Sequence, residues 1–281
     1  MRLRLCWALW IGAATLGCKD KPAAGGATSA PSGSASAPLV KASPPACRAI
    51  QVQGDVKSAA GPVAVLTPLD GRSWVTLGEG AELAVRHGVS AREFELRGPG
   101  RFLPCRGGLE QVLASEGRVK SVPGTGVRPG GEFLIATPLG SVSYGDAQLE
   151  LSVGASSLEL ELGRGELVTE LAPGTSGFPA AGLKAKGGAK LQGSVEPDKL
   201  MAGCESVAKD AIEAASRVLS ASEKSAMGKA AADQLVVRRR ARATCAIAAS
   251  GIEREPEPTR KSALEQRLVA AERAWRTVPV R

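Results

Sequence analysis

Alternation of apolar and polar side chains is clearest midway along the chain. Gln148-Leu149-Glu150-Leu151-Ser152-Val153 carries a two-residue period, and Ser157-Leu158-Glu159-Leu160-Glu161-Leu162 carries it again. Neighbouring side chains on a strand point to opposite faces, so Leu149, Leu151 and Val153 share one face and the glutamates the other. Gly154-Ala155-Ser156 between the two runs predicts a hairpin connection. Shorter apolar stretches recur at Pro62–Leu66, Ser73–Leu77, Glu82–Val85, Glu93–Leu96, Gln111–Leu113 and Glu132–Ala136, and Gly163-Arg164-Gly165 turns into Glu166–Thr169. Gly98-Pro99-Gly100, Gly107-Gly108 and Gly124-x-Gly126 read as turns between them. Many short strands separated by Gly and Pro predict an all-β sandwich, barrel or short solenoid over residues 46–192.

The period lengthens after Pro197. Leu200, Cys204, Val207, Ala208, Ala211, Ala215, Val218 and Leu219 fall on one helical stripe, and Pro197 suits a first helical turn. Ser220-Ala221-Ser222-Glu223 offers a capping box for a second helix running to Ser250, with Gly251 as its stop. Pro256 and Pro258 break the chain, and Ser262-Ala263-Leu264-Glu265 suggests the start of a third helix reaching Trp275. The expected architecture is mainly β with a C-terminal helical hairpin region over 197–281. The Leu and Ala stripe of its first helix is free to bury against the β domain or against a partner helix.

The segment Phe133-Leu134-Ile135-Ala136-Thr137-Pro138-Leu139-Gly140-Ser141-Val142-Ser143-Tyr144-Gly145-Asp146 resembles the signature of FecR-type domains. There a strand ends in Thr-Pro, a small-residue turn follows, and a second strand ends near a Gly. Ser157–Leu162 and Gly165-Glu166-Leu167-Val168 match the later strands of that pattern, and Trp74–Leu83 is similar to the early strand with its Gly and Leu turn. The resemblance covers residues 50–171 and implies a periplasmic β module that binds partners. Tyr144-Gly145-Asp146 stands where Arg-Gly-Thr is common in the family. Regulatory members carry a cytoplasmic anti-sigma part and a membrane span ahead of this domain. This chain is expected to lack both, and so not to signal to a sigma factor unaided.

Ahead of the β region, Arg2 and Arg4 precede the apolar run Leu5–Thr15, and Thr15-Leu16-Gly17-Cys18 precedes Lys19. A basic start, a short apolar core and small residues at a cut site make a secretory signal, and the run is too short to span a bilayer. The stretch resembles a bacterial lipoprotein signal with its lipobox, with Thr15 where Leu, Val or Ile is usual. That resemblance implies cleavage after residue 17 and acyl chains, palmitate among them, on Cys18. Stable anchoring needs more than one chain, which a triacylated Cys supplies. Asp20 stands one place too late for inner-membrane retention, so the expected location is the outer membrane, facing the periplasm or the surface. Residues 18–45, rich in Ala, Gly, Ser and Pro, cannot bury enough apolar surface to offset ordering entropy and are expected to be a disordered tether.

Export changes how the cysteines read. Six are present; Cys6 lies in the signal and Cys18 takes the lipid. Cys47, Cys105, Cys204 and Cys245 remain, with three possible connectivities. Two lie in the first half and two in the last, so Cys47–Cys105 and Cys204–Cys245 are the expected disulfides. In an antiparallel helix pair, Cys204 and Cys245 reach equal height if the second helix begins near Ser225 or Ala226.

Composition and side-chain inventory point away from catalysis. The formal charge of +8 includes Arg2 and Arg4, which leave with the signal. Aromatic residues make up 3%, too few for base-stacking platforms, so nucleic acid is not an expected partner. Arg238-Arg239-Arg240-Ala241-Arg242 reads as a solvated helix face. His87 is the only His and sits where a surface turn is expected. Without C-x-x-C pairs, no zinc site or other metal is expected. Glu93 and Glu95 share the wet face of a strand, and Trp74 and Trp275 read as packing anchors, with Trp74 the one place for a sugar platform. No cofactor or small-molecule substrate is expected. The expected function is a non-catalytic envelope lipoprotein presenting a β domain for protein binding or envelope signalling. The alternative is a glycan- or peptidoglycan-associated module. A Cys18→Ala variant, followed by fractionation, is expected to appear as soluble periplasmic protein; an unchanged membrane location would remove the anchor.

Overall fold

The computed structural model describes residues 46–126, 131–177, 183–184, 187–220 and 224–277. The lipobox with Cys18 and the tether therefore lie outside the described residues. In chain order the first strands are β1 (Cys47–Gln53), β2 (Val56–Ser58), β3 (Gly61–Pro62), β4 (Pro68–Leu69), β5 (Val75–Leu77), β6 (Glu82–His87), β7 (Glu93–Pro104) and β8 (Gln111–Ser121). Then come β9 (Phe133–Thr137), β10 (Gly140–Tyr144), β11 (Gln148–Val153), β12 (Ser157–Arg164), β13 (Glu166–Leu171), β14 (Leu183–Lys184) and β15 (Gly187–Gln192). Helices α1 (Pro197–Ser220), α2 (Lys224–Ile252) and α3 (Pro258–Arg276) complete the chain, which is mainly β with C-terminal helices.

Hydrogen bonding links the strands into one sheet, yet the sheet does not stay in one layer. β7 is the pivot. Its residues 93–97 pair with β6, and its residues 100–102 pair with β5. β8 follows β7 along its length, gives its residues 117–120 to β11, and gives its residues 111–113 to β9 in parallel. One half-sheet thus runs β4-β1-β6-β7-β8-β11-β12-β15, and the other β3-β2-β5-β7-β8-β9-β10-β13-β14. Strands shared by two packed sheets must bend, usually at bulges. Gly98-Pro99-Gly100 is that bend: it lies inside β7, where the β7–β8 register shifts between Arg97 and Phe102, and is not the turn its composition predicts. Opposite it, Gly117 has φ +99°, and a Cβ there would stand 2.5 Å from Phe102 Cζ and 2.9 Å from Gly100 Cα.

The half-sheets face each other across one core. Leu83, Val85, Phe94 and Leu96 from the first meet Val75, Leu77, Phe102, Val112 and Phe133 from the second, with the Phe94 and Phe133 ring centroids 5.1 Å apart. This is the sandwich form of the expected fold. The second half-sheet is buried on its other side too. Leu103, Leu113, Leu134 and Ala136 alternate with the sandwich residues and point into a separate core with the helices. β9 is consequently buried at all five positions, Phe-Leu-Ile-Ala-Thr. An unbroken apolar run is what burial on both faces selects.

The helices stack in order on that face. α2 lies against β8, β9, β10 and β13, and α1 packs on α2 and α3. The α1 stripe from Leu200 to Val218 is buried inside this layer, while Leu219, expected on the stripe, is exposed. Gly251 does not stop α2, which runs one residue past it; a Cβ there would meet Leu200 Cδ1, so the glycine admits a neighbouring helix. α3 starts at Pro258 and not at Ser262, because the Glu257 carboxylate accepts from the Thr259 and Arg260 amides at 3.1 and 3.0 Å. Most of the expected Ser220–Glu223 capping box lies outside the described residues. Of the apolar stretch Pro62–Leu66 only Pro62 is in a strand, and Leu66 turns the chain at φ 69°. Disulfides join Cys47 to Cys105, with Cα atoms 6.0 Å apart, and Cys204 to Cys245, with Cα atoms 4.6 Å apart, in the expected pairing.

Gly117→Ala should cost about 2 kcal/mol or more, from a strained left-handed backbone plus a clash with Phe102. Gly80→Ala, also at positive φ but with nothing within 4 Å, should cost only about 1 kcal/mol. Urea unfolding of the two variants checks the contrast.

Candidate functional site

α2 approaches the sheet through small side chains. Ala243, Ala246 and Ser250 are buried on that side, Ala241, Cys245 and Ala248 turn instead to α1, where Cys245 is bonded to Cys204, and the long basic side chains lie at the flanks of the sheet contact. There the arginines make the seam. Arg242 Nη2 donates to the Glu110 carbonyl at 2.7 Å and Nε to Gln111 Oε1 at 3.3 Å. Arg240 Nε donates to Glu170 Oε1 at 3.0 Å, and Arg239 Nε lies 3.6 Å from Glu132 Oε2. The run Arg238–Arg242 is therefore not a purely solvated face: it flanks the contact between helix and sheet, with only Arg239 and Arg240 well exposed.

Leu235, Arg238, Arg239 and Arg242 stand at i, i+3, i+4 and i+7 and share one side of α2. α3 brings Trp275 and Arg276 to the same place, and Leu109 closes it, around a cleft of about 360 Å³. The guanidinium carbons of Arg238 and Arg276 lie 5.6 and 5.5 Å from the Trp275 ring centroid, within cation–π range. Burial pulls the pKa of Arg238 below the usual guanidinium range. Burial does the same to Arg242, opposed by Glu132 and Glu110 and reinforced by Arg276. The nearby acid Glu272 is already engaged: both its oxygens accept from Arg106, and Arg276 Nη2 is 3.5 Å away. Trp275 Nε1 is buried with no hydrogen-bond partner among the described residues. The site is a cationic, aromatic-walled recess suited to an anion.

A second groove of about 260 Å³ adjoins it between α2 and β13, with Arg239 lining both. Its rims carry Val168, 68% exposed, and Val236, 65% exposed, while Leu235 at the first cleft is 52% exposed. Basic and apolar side chains thus form one continuous face.

The other positions singled out in the sequence are structural. His87 is not at the surface; it is 3% exposed at the end of β6. Its Nδ1 lies 2.9 Å from Ser90 Oγ and accepts from the Ser90 amide at 3.2 Å, leaving Nε2 to donate to the Gly108 carbonyl at 3.3 Å. The imidazole closes the 87–92 turn, and Ser90 is itself buried. Glu93 pairs with Arg86 across β6–β7, and Glu95 with Lys120 across β7–β8 and with Arg97 along β7. Trp74 packs against the helix-side core. Glu253 and Glu255, which sequence reasoning missed, are buried carboxylates paired with Lys261 at 2.7 Å and Arg260 at 3.4 Å. Among the described residues no cluster of three or more His, Cys, Asp or Glu could hold a metal, and no helix is long and apolar enough to cross a membrane.

No family model matches the chain, and comparison with curated proteins finds no match. The reading of the site therefore rests on its geometry. The spacing from Leu235 to Arg242 was visible in the sequence; the arrival of Trp275 and Arg276 beside it was not.

Glu272→Ala leaves the half-buried Arg106 without its partner and should lower stability by about 1–3 kcal/mol. Glu159→Ala, which removes an exposed cross-strand partner of Lys190, should leave the melting curve nearly unchanged. Thermal unfolding of both variants checks the ranking.

Proposed function

We propose that the chain is a non-catalytic envelope lipoprotein: a FecR-like β domain, held to the membrane by acylated Cys18, that docks an envelope protein on the exposed side of α2. The supporting observation is the continuous face formed by Leu235, Val236 and Val168 with Arg239 and Arg240 beside them. Contiguous exposed apolar side chains mark association surfaces, and Arg and Trp are over-represented among the residues that carry binding energy. His87, Glu93 and Glu95 are tied into a turn and into ion pairs along the strands, in keeping with a binding role.

Two features support the FecR-like and exported parts of the reading. Thr137-Pro138-Leu139-Gly140 forms the tight connection between β9 and β10, with Thr137 Oγ1 donating to the Gly140 carbonyl at 2.9 Å, in keeping with the family's Thr-Pro turn. Two disulfides suit an oxidising compartment.

A photo-crosslinking amino acid placed at Val236 of the full chain in living cells should give a discrete protein adduct in the envelope fraction. The same group at Glu159, on the opposite half-sheet, should give none. Absence of an adduct at Val236, with the chain sedimenting on purified cell wall, would overturn protein docking in favour of glycan association.

A further inference from the structure

We infer that the cleft between α2 and α3 seats the carboxylates of an acidic, apolar-flanked segment of the docked protein, an inference that rests on the docking role proposed above. Four arginines line the recess, Arg238, Arg239, Arg242 and Arg276. Glu272, 3.5 Å from Arg276, is shared with Arg106, and Glu132 lies 3.6 Å from Arg239. Guanidinium forks match carboxylates in a planar, bidentate way. Arginines gathered in a partly dry recess make an incoming anion favourable; burial is the main cause that holds the Arg242 pKa below its ordinary range, with Glu132 and Glu110 opposing it and Arg276 adding to it.

The walls decide what accompanies the charge. Leu109, Leu235 and the Trp275 ring are apolar surfaces against which an aliphatic side chain would lie. At about 360 Å³ the cleft is near the lower end of ligand sites, enough for one or two side chains. Arg239 leads on to the groove between Val236 and Val168, so an extended segment could place acids at the cleft and aliphatics along the groove. Phosphate is the weaker fit. Phosphate sites use backbone amides at helix N-termini, whereas the lining here comes from the middle of α2 and the last turn of α3.

The test is fluorescence anisotropy of a short labelled peptide alternating Glu with Leu, added to the detergent-solubilised full chain. The peptide should bind, and a version with Gln in place of Glu should bind at least tenfold more weakly. Arg238→Ala should weaken binding about tenfold while Arg238→Lys loses less. Leu235→Glu, an exposed helix position that folding does not depend on, should abolish binding with an unchanged melting curve. Equal binding of the Gln peptide, no binding of either peptide, or equally effective competition by inorganic phosphate or by phosphatidylglycerol in the micelles would overturn the inference. If any of these occurs while the Val236 adduct persists, the carboxylate site fails and the docking role stands; if the adduct is also missing, the docking role itself fails.

Discussion

Two strands have to serve two sheets, and the rest of the molecule follows from how they do it. β7 and β8 run as a ladder, but their ends pair with different neighbours, so the ladder bends where the half-sheets part. The bend places Gly100 and Gly117 back to back beneath Phe102, with no room for a Cβ at either. Phe102 then fills the corner of the sandwich core, and Leu103 next to it points the opposite way, to the helices. A single dipeptide therefore contributes to both cores.

That arrangement requires the helices. The second half-sheet exposes Leu113, Leu134 and Ala136 on the side away from the sandwich, and apolar strands of this kind must be covered. α2 covers them with Ala243, Ala246 and Ile247, the disulfide from Cys245 to Cys204 ties α1 to α2, and α3 closes the layer with Leu264, Leu268 and Trp275. A helix with a small-residue underside carries its large and charged side chains at its edges. The arginine seam and the cleft beside Trp275 are thus products of packing.

Much of this was legible where one face of an element is wet and the other dry. The alternation over Gln148–Leu162 marks β11 and β12, and the stripe from Leu200 to Val218 marks α1, because water and core impose opposite chemistry at short period. The disulfide pairing followed from chain position alone. Glycine and proline were ambiguous: Gly98-Pro99-Gly100 has the composition of a turn, but the same freedom serves a bend within a strand, and Gly251 reads as a helix stop when its function is to admit Leu200. His87 looked like a turn residue because its partners, Ser90 and the Gly108 carbonyl, include one that only the folded sheet brings near. For the cleft, the spacing of Leu235, Arg238, Arg239 and Arg242 was readable on one helix. Its aromatic wall comes from a residue more than thirty positions later, and no local pattern links the two.

Amide hydrogen exchange on the full chain, followed through a denaturant series, tests the dependence of the helical layer on the bent ladder. The expected result is that residues 100–104, 111–115 and 133–137 lose protection at the same denaturant concentration as residues 241–252 of α2, as one cooperative unit. Loss of protection across 197–277 at clearly lower denaturant, with the strands still protected, would contradict it and would leave the arginine cleft without a rigid base.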